Sequence, residues 1–139
     1  MFAALPLLAL PVLFYNFIVA ALISGGFGSD GNPRLTQQVF SIPMASGGHW
    51  SLNLGDLTIF VSLVILFIEL LKSTTSRRIA IINHSLSMIL FIICLVEFLL
   101  FRAFATSAFF LLTSMVLLDV LAGFIVTIAS ARREIDVMN

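Results

Sequence analysis

Cysteine is nearly absent from this 139-residue chain, and the single one, Cys94, excludes an internal disulfide framework and a cysteine-rich metal site. Charge is scarce too. Only 10% of residues are Asp, Glu, Lys or Arg, against about 25% in ordinary soluble domains. Seven basic residues balance seven acidic ones, so no basic stripe points to nucleic acid. There is no P-loop and no dinucleotide-binding glycine pattern. What remains is apolar. Sixty per cent of the residues are hydrophobic, more than a soluble fold of this size can hide, because small domains keep a large surface fraction. Lipid is the solvent that accepts such a chain.

About 20 mainly apolar residues carry an α-helix across the hydrocarbon core. Four segments meet this measure, at about 2–23, 54–71, 79–101 and 108–129, and the expected fold is an all-α bundle of four transmembrane helices in one membrane domain. The first lacks the positive flank of a signal peptide and its apolar run is too long for one, so it reads as a retained helix. Pro6 is harmless near its start, whereas an interior Pro11 should kink it by removing a backbone donor. Nearly uncharged, this helix is expected to face lipid or a partner.

The polar stretch 24–53 opens with turn chemistry, Ser24-Gly25-Gly26-Phe27-Gly28. Phe40, Ile42 and Met44 then alternate with polar or small residues, and Trp50, Leu52 and Leu54 alternate again beyond Gly47-Gly48. Two alternating runs around a glycine turn suggest a short β-hairpin, with an irregular loop as the alternative. Pro43 would make the first strand an edge. Trp50 would anchor the loop at the membrane–water interface, where indole is favoured.

Lys72, Arg77 and Arg78 follow the second helix, and Arg132 and Arg133 follow the fourth; Arg34 and Arg102 lie in the other loops. Five against two places both termini in the cytoplasm and 24–53 outside.

Three acids, Glu69, Glu97 and Asp119, interrupt the apolar helices, where a charge is costly and must pair, protonate or face the bundle interior. Each lies on a stripe of helical spacing. The stripes are Thr58, Ser62, Ile65, Glu69 and Ser73; Asn83, Ser87, Leu90, Cys94 and Glu97; and Val116, Asp119, Gly123, Thr127 and Ser130. Small and hydroxyl residues on such faces let helices approach and bond. By helix rise, Asp119, Glu69 and His84 lie roughly 17, 22 and 27 Å below the outer ends of their helices, a loose cluster in the cytoplasmic half. Glu97, about 8 Å from its outer end by the same rise, falls near Arg102. Glu69, Asp119, Glu97, Asn83, His84 and Ser87 are thus the intramembrane polar candidates. They read either as an interhelical hydrogen-bond network, with Glu69 one turn from Lys72 and snorkelling outward, or as carriers of a proton or cation.

No cofactor is expected. Haem wants ligands on facing helices; Met88 shares a helix with His84, and His49 lies in the loop. Two separated histidines make no zinc site. The Asn83-His84-Ser85 sequon lies at the cytoplasmic interface.

Phe40-Ser41-Ile42-Pro43-Met44, Trp50-Ser51-Leu52 with Gly55-Asp56-Leu57, Phe67-Ile68-Glu69, and Asp119-Val120 with Gly123-Phe124 and Ala131-Arg132-Arg133 resemble a group of small hypothetical membrane proteins of alphaproteobacteria. The resemblance runs from the second helix to the C-terminus. It implies a bacterial inner membrane and supplies no catalytic residue. Three readings of function follow: a non-enzymatic accessory or scaffold subunit meeting other membrane subunits or a second copy; a proton- or cation-coupled oligomer using Glu69, Asp119 and His84; and a quinone-binding subunit using His84 with Ser87 or Asn83.

Overall fold

Long apolar runs become helices because lipid and apolar cores leave backbone groups nothing else to bond. In the computed structural model, which describes residues 5–30, 32–72 and 77–139, they form α1 (Ala9–Leu22), α2 (Leu54–Lys72), α3 (Arg77–Leu100) and α4 (Ser107–Met138). Between α1 and α2 lie strands β1 (Gln38–Pro43) and β2 (His49–Asn53), and short 3₁₀ turns occupy Gly26–Gly28 and Arg102–Phe104. Among the described residues, three helices, within α2, α3 and α4, are long and apolar enough to cross a membrane; α1, with 14 residues, is shorter.

The first helix differs from the expected 2–23. It begins at Ala9, and residues 1–4 of the expected span lie outside the described residues. Pro11 therefore falls in the first turn, where backbone N–H groups have no intrahelical partner, and the expected kink has no cause. The carbonyl that Pro11 would have contacted, that of Leu7, accepts from Leu10 N at 3.0 Å instead. Nor is α1 merely lipid-facing. Leu10, Leu13 and Phe17 are exposed on one side, while Val12, Tyr15, Ile18 and Val19 are buried on the other.

The fourth helix also departs from its expected end at Ala129 and runs on to Met138. Hydropathy falls there, but Ala131-Arg132-Arg133-Glu134 are good helix formers and no glycine or proline breaks them. Its 32 residues span about 48 Å, longer than the ~30 Å hydrocarbon core. The expected link 73–76 lies outside the described residues, as does Ser73 of the α2 stripe.

The hairpin is present. β1 and β2 pair antiparallel, with Phe40 opposite Leu52 and Ile42 opposite Trp50. Gly47, at φ +83°, supplies the left-handed residue of the turn. β2 feeds straight into α2 through a reciprocal cap: Asp56 N donates to Asn53 Oδ1 at 2.8 Å and Asn53 N to Asp56 Oδ2 at 3.3 Å. Leu54 N and Gly55 N donate to Gln37 O and Leu35 O, which ties the preceding loop to the helix start.

α4 is the central element, packed against α1, α2 and α3. The bundle has two unlike ends. At one, Tyr15, Phe104 and Phe109 are fully buried with ring centroids 4.7–5.3 Å apart, and Phe27 stacks on Phe104 at 5.4 Å. The Tyr15 hydroxyl donates to Ala103 O at 3.2 Å and meets Thr106 Oγ1 at 2.7 Å. At the other end, the residues before α1 reach the last turn of α2: Lys72 Nζ donates to Leu5 O at 2.7 Å. With its flanking turns, α1 thus runs from one end of the bundle to the other.

Candidate functional site

The polar stripes of α2, α3 and α4 turn towards one another. Thr58, Ser62 and Glu69 on α2, Asn83, Ser87 and Cys94 on α3, and Asp119 and Gly123 on α4 are buried. The hydroxyls in the first half of α2 bond back to their own helix, Ser62 Oγ to Thr58 O at 2.6 Å and Thr58 Oγ1 to Leu54 O at 2.8 Å. They are small packing residues there. The chemistry gathers one end further down.

Glu69 is fully buried and does not snorkel. Its Oε1 accepts from Asn83 Nδ2 and lies 3.6 Å from Lys72 Nζ; its Oε2 accepts from Leu7 N at 2.7 Å. Lys72 bends inward instead, adding Asn83 Oδ1 at 3.4 Å. Both carboxylate oxygens thus face donors. Three chain segments meet at this one side chain: α2, α3 and the entry to α1.

A second group lies beside it. Ser87 Oγ donates to Asp119 Oδ2 at 2.5 Å and lies 3.1 Å from Asn83 O. His84 Nδ1 is 3.8 Å from Asp119 Oδ1, beyond hydrogen-bond length. Asp119 Oδ1 and both ring nitrogens of His84 are buried without a hydrogen bond. Such groups are uncommon in folded proteins, since each costs its desolvation. The imidazole fits only because residue 123 is glycine: a Cβ there would lie 1.9 Å from His84 Cγ and 2.2 Å from Nδ1. His84 also lines a pocket of about 310 Å³ between α3 and α4, with Met88, Gly123 and Thr127.

The other candidates lie elsewhere. Glu97 is half-buried and does not join Arg102. Its Oε2 accepts from Asn16 Nδ2 at 3.2 Å, while Arg102 Nη1 pairs with Asp30 Oδ1 at 3.3 Å. Arg102, near which the helix rise places Glu97, starts a 3₁₀ turn and has its side chain exposed. Trp50 is exposed on the hairpin, with its ring edge-on to Phe40 at 6.5 Å. His49 is exposed on β2, away from the cluster. Among the described residues no group of three or more His, Cys, Asp and Glu side chains is placed to hold a metal ion.

Comparison with protein-family models, with curated proteins and with solved structures gives no match. The residues alone therefore carry the functional argument. Two contributors escaped the sequence reading: the backbone of Leu5 and Leu7, and Asn32. Main-chain partners leave no mark in a hydropathy pattern. Asn32, in a turn-rich segment, looked like one loop residue among many, yet it is buried with neither amide atom hydrogen-bonded.

Proposed function

We propose that this chain is a multi-pass protein of the bacterial inner membrane, with four spans and both termini in the cytoplasm, serving as a non-enzymatic accessory subunit of a larger membrane assembly. The four-span reading is supported by the path of α1 and its flanking turns along the whole bundle. The orientation follows the Lys and Arg excess at the Lys72 end. The inner membrane follows the alphaproteobacterial resemblance.

One observation carries the subunit role. Every residue of β1 is exposed, and Phe40, Ile42 and Trp50 share one hairpin face by the two-residue alternation and the pairing of Ile42 with Trp50. A two-stranded hairpin is marginal alone in water. An aromatic face of this kind, at headgroup depth where Trp50 is favoured, suits the outer loop of a neighbouring subunit. The Glu69 network meanwhile serves to close the bundle. Purification from native membranes in mild detergent is expected to yield a defined complex. Phe40→Ser with Trp50→Ser is expected to release the chain as a folded monomer. A wild-type chain that always purifies as a lone monomer overturns the reading.

A second reading, a proton- or cation-coupled oligomer, is favoured by the unbonded atoms of His84 and Asp119. It expects acid-driven flux into liposomes, reduced about a hundredfold or more by Asp119→Asn or His84→Gln, the contribution of a positioned proton-transfer group at its lower bound. Flux unaltered by both substitutions removes it.

A further inference from the structure

A wide opening lies away from the His84 and Asp119 pair. It is a pocket of about 750 Å³ between the outer ends of α2 and α4, roofed by the loop that precedes the hairpin. That volume is in the range of small-molecule sites. Its lower wall is apolar, formed by Ile59, Phe60 and Leu63 of α2 and Leu111 of α4. Its upper rim is polar, with Asn32, Asp56 and the first residues of α4, Thr106 to Ala108.

Two independent features of that rim ask for a ligand. The first is the start of α4. Thr106 caps it, taking Phe109 N on its side chain at 3.2 Å and Phe110 N on its carbonyl at 3.0 Å. The N–H groups of Ser107 and Ala108 have no partner among the described residues, and they stand at the positive end of a 32-residue helix. The second is Asn32, only 6% exposed, which lines the pocket with both amide atoms free of hydrogen bonds. Its NH₂ adds a donor beside the helix end. Together they form a seat for an anionic oxygen.

A free anion leaves the apolar wall unexplained. A ligand with an acyl chain below its phosphate fits both, since Ile59, Phe60, Leu63 and Leu111 run inward from the rim at the depth where acyl chains begin. The charge of the rim narrows the class further. Asp56 spends Oδ2 on Asn53 N and stands beside the phosphate seat, so a second net negative charge is disfavoured there. A primary ammonium two carbons beyond the phosphoester oxygen would meet the Asp56 carboxylate as donor to acceptor. Asp30, also on the rim, is already paired with Arg102.

We propose that this pocket binds one zwitterionic phospholipid bearing a primary amine, with its phosphate on the α4 N-terminus and the Asn32 amide, its ammonium on Asp56, and one acyl chain along the α2–α4 groove. The site requires only that the chain sit in a bilayer and is independent of any partner subunit.

The test is native mass spectrometry of the delipidated full chain with phosphatidylethanolamine, phosphatidylglycerol and phosphatidylcholine added back at equal mole fraction. The expected result is one retained phosphatidylethanolamine, at least about tenfold over phosphatidylglycerol, with phosphatidylcholine weaker because its ammonium cannot donate; tenfold corresponds to about 1.4 kcal/mol. Asp56→Asn, which keeps the helix cap, is expected to abolish the preference for the amine. Leu111→Trp is expected to reduce retention of all three by filling the groove. Ile125→Trp, at an exposed position on α4 outside the pocket, is expected to change nothing. Equal retention of the three lipids overturns the proposal, as does a phosphatidylethanolamine preference that survives Asp56→Asn. A preference for phosphatidylglycerol overturns the amine assignment.

Discussion

Gly123→Ala is expected to destabilise the bundle by about 2 kcal/mol, although alanine is the better helix former. The two effects oppose each other, and magnitude decides. Replacing an interior helical glycine with alanine gains roughly 1 kcal/mol of helix propensity. Here the added Cβ would meet His84 Cγ at 1.9 Å, Nδ1 at 2.2 Å and Cδ2 at 2.3 Å. Cγ is the root of the ring and moves only with χ1, so the imidazole must leave its rotamer or α3 must draw away from α4. Overpacking of this kind costs roughly 1–3 kcal/mol or more. Both adjustments also separate His84 from Asp119, which lies one turn before Gly123 on α4. Unfolding of the purified protein in a denaturing detergent titration reads the loss. The double variant His84→Ala with Gly123→Ala is the control: removing the ring removes the clash, and stability is expected to return to within about 1 kcal/mol of the His84→Ala single variant, the scale of the propensity gain. A Gly123→Ala protein as stable as wild type would show that the imidazole has another place to go. A double variant no better than Gly123→Ala would show that the glycine serves something other than this ring.

That glycine illustrates how far the sequence is legible. Its place on the stripe with Val116, Asp119, Thr127 and Ser130 follows from helical periodicity alone, and so does the inward direction of that face. That the space above it belongs to His84 does not. Meeting across a helix pair depends on the crossing angle and on the relative depth of two helices, which small shifts of packing decide. The same limit explains Glu97. Helix rise places it near Arg102 but does not give its partner, Asn16 on α1, whose depth no pattern fixes. The hairpin was legible because alternation and a glycine turn are local signals, and they coincide at residues 38–53. Boundaries set by polarity misled in two places. Polar residues after Ala129 do not stop a helix, and apolar residues before Ala9 do not start one when Pro6 and Pro11 bracket them. Asn32 and the amides of α4 show a further gap. Their significance lies in bonds they do not make, and this is visible only once every donor and acceptor has a position.

Removing the Glu69 carboxylate is expected to have the largest effect of any single substitution in the bundle, and a distinctive one: the N-terminal segment should come loose before the bundle does. Glu69→Leu is nearly isosteric in reach but leaves three donors without their acceptor, namely Leu7 N, Asn83 Nδ2 and the ammonium of Lys72. Breaking a buried ion pair from one side costs roughly 3–5 kcal/mol. Hydrogen bonds inside membranes average nearer 0.6 kcal/mol, because the opened state finds other partners. Lys72 has a way out, being 19% exposed and able to extend towards solvent, which relieves the charge. The Asn83 amide and the Leu7 N–H have none. A net loss of about 2–3 kcal/mol follows, between those two bounds. The losses are not distributed evenly. Residues before α1 are held by Leu7 N on Glu69 and by Leu5 O on Lys72, and both contacts depend on the carboxylate: one directly, the other because Glu69 draws Lys72 inward. The His84, Ser87 and Asp119 group, with α3 and α4 between which it sits, keeps its own contacts. A cysteine introduced at Leu8, fully buried in the segment before α1, in a Cys94→Ala background is therefore expected to react with a polar thiol reagent at least tenfold faster when Glu69 is leucine, the factor that corresponds to about 1.4 kcal/mol of local opening. A cysteine at Val116, deep in the α4 interface, is expected to stay protected in both backgrounds. Glu69→Gln should fall between, since one amide oxygen still accepts from Leu7 N or Asn83 while the amide nitrogen meets a donor. Equal labelling at residue 8 with and without the carboxylate would mean that Glu69 does not hold the entry to α1. Rapid labelling at both positions would mean that the carboxylate holds the whole bundle rather than its N-terminal strap.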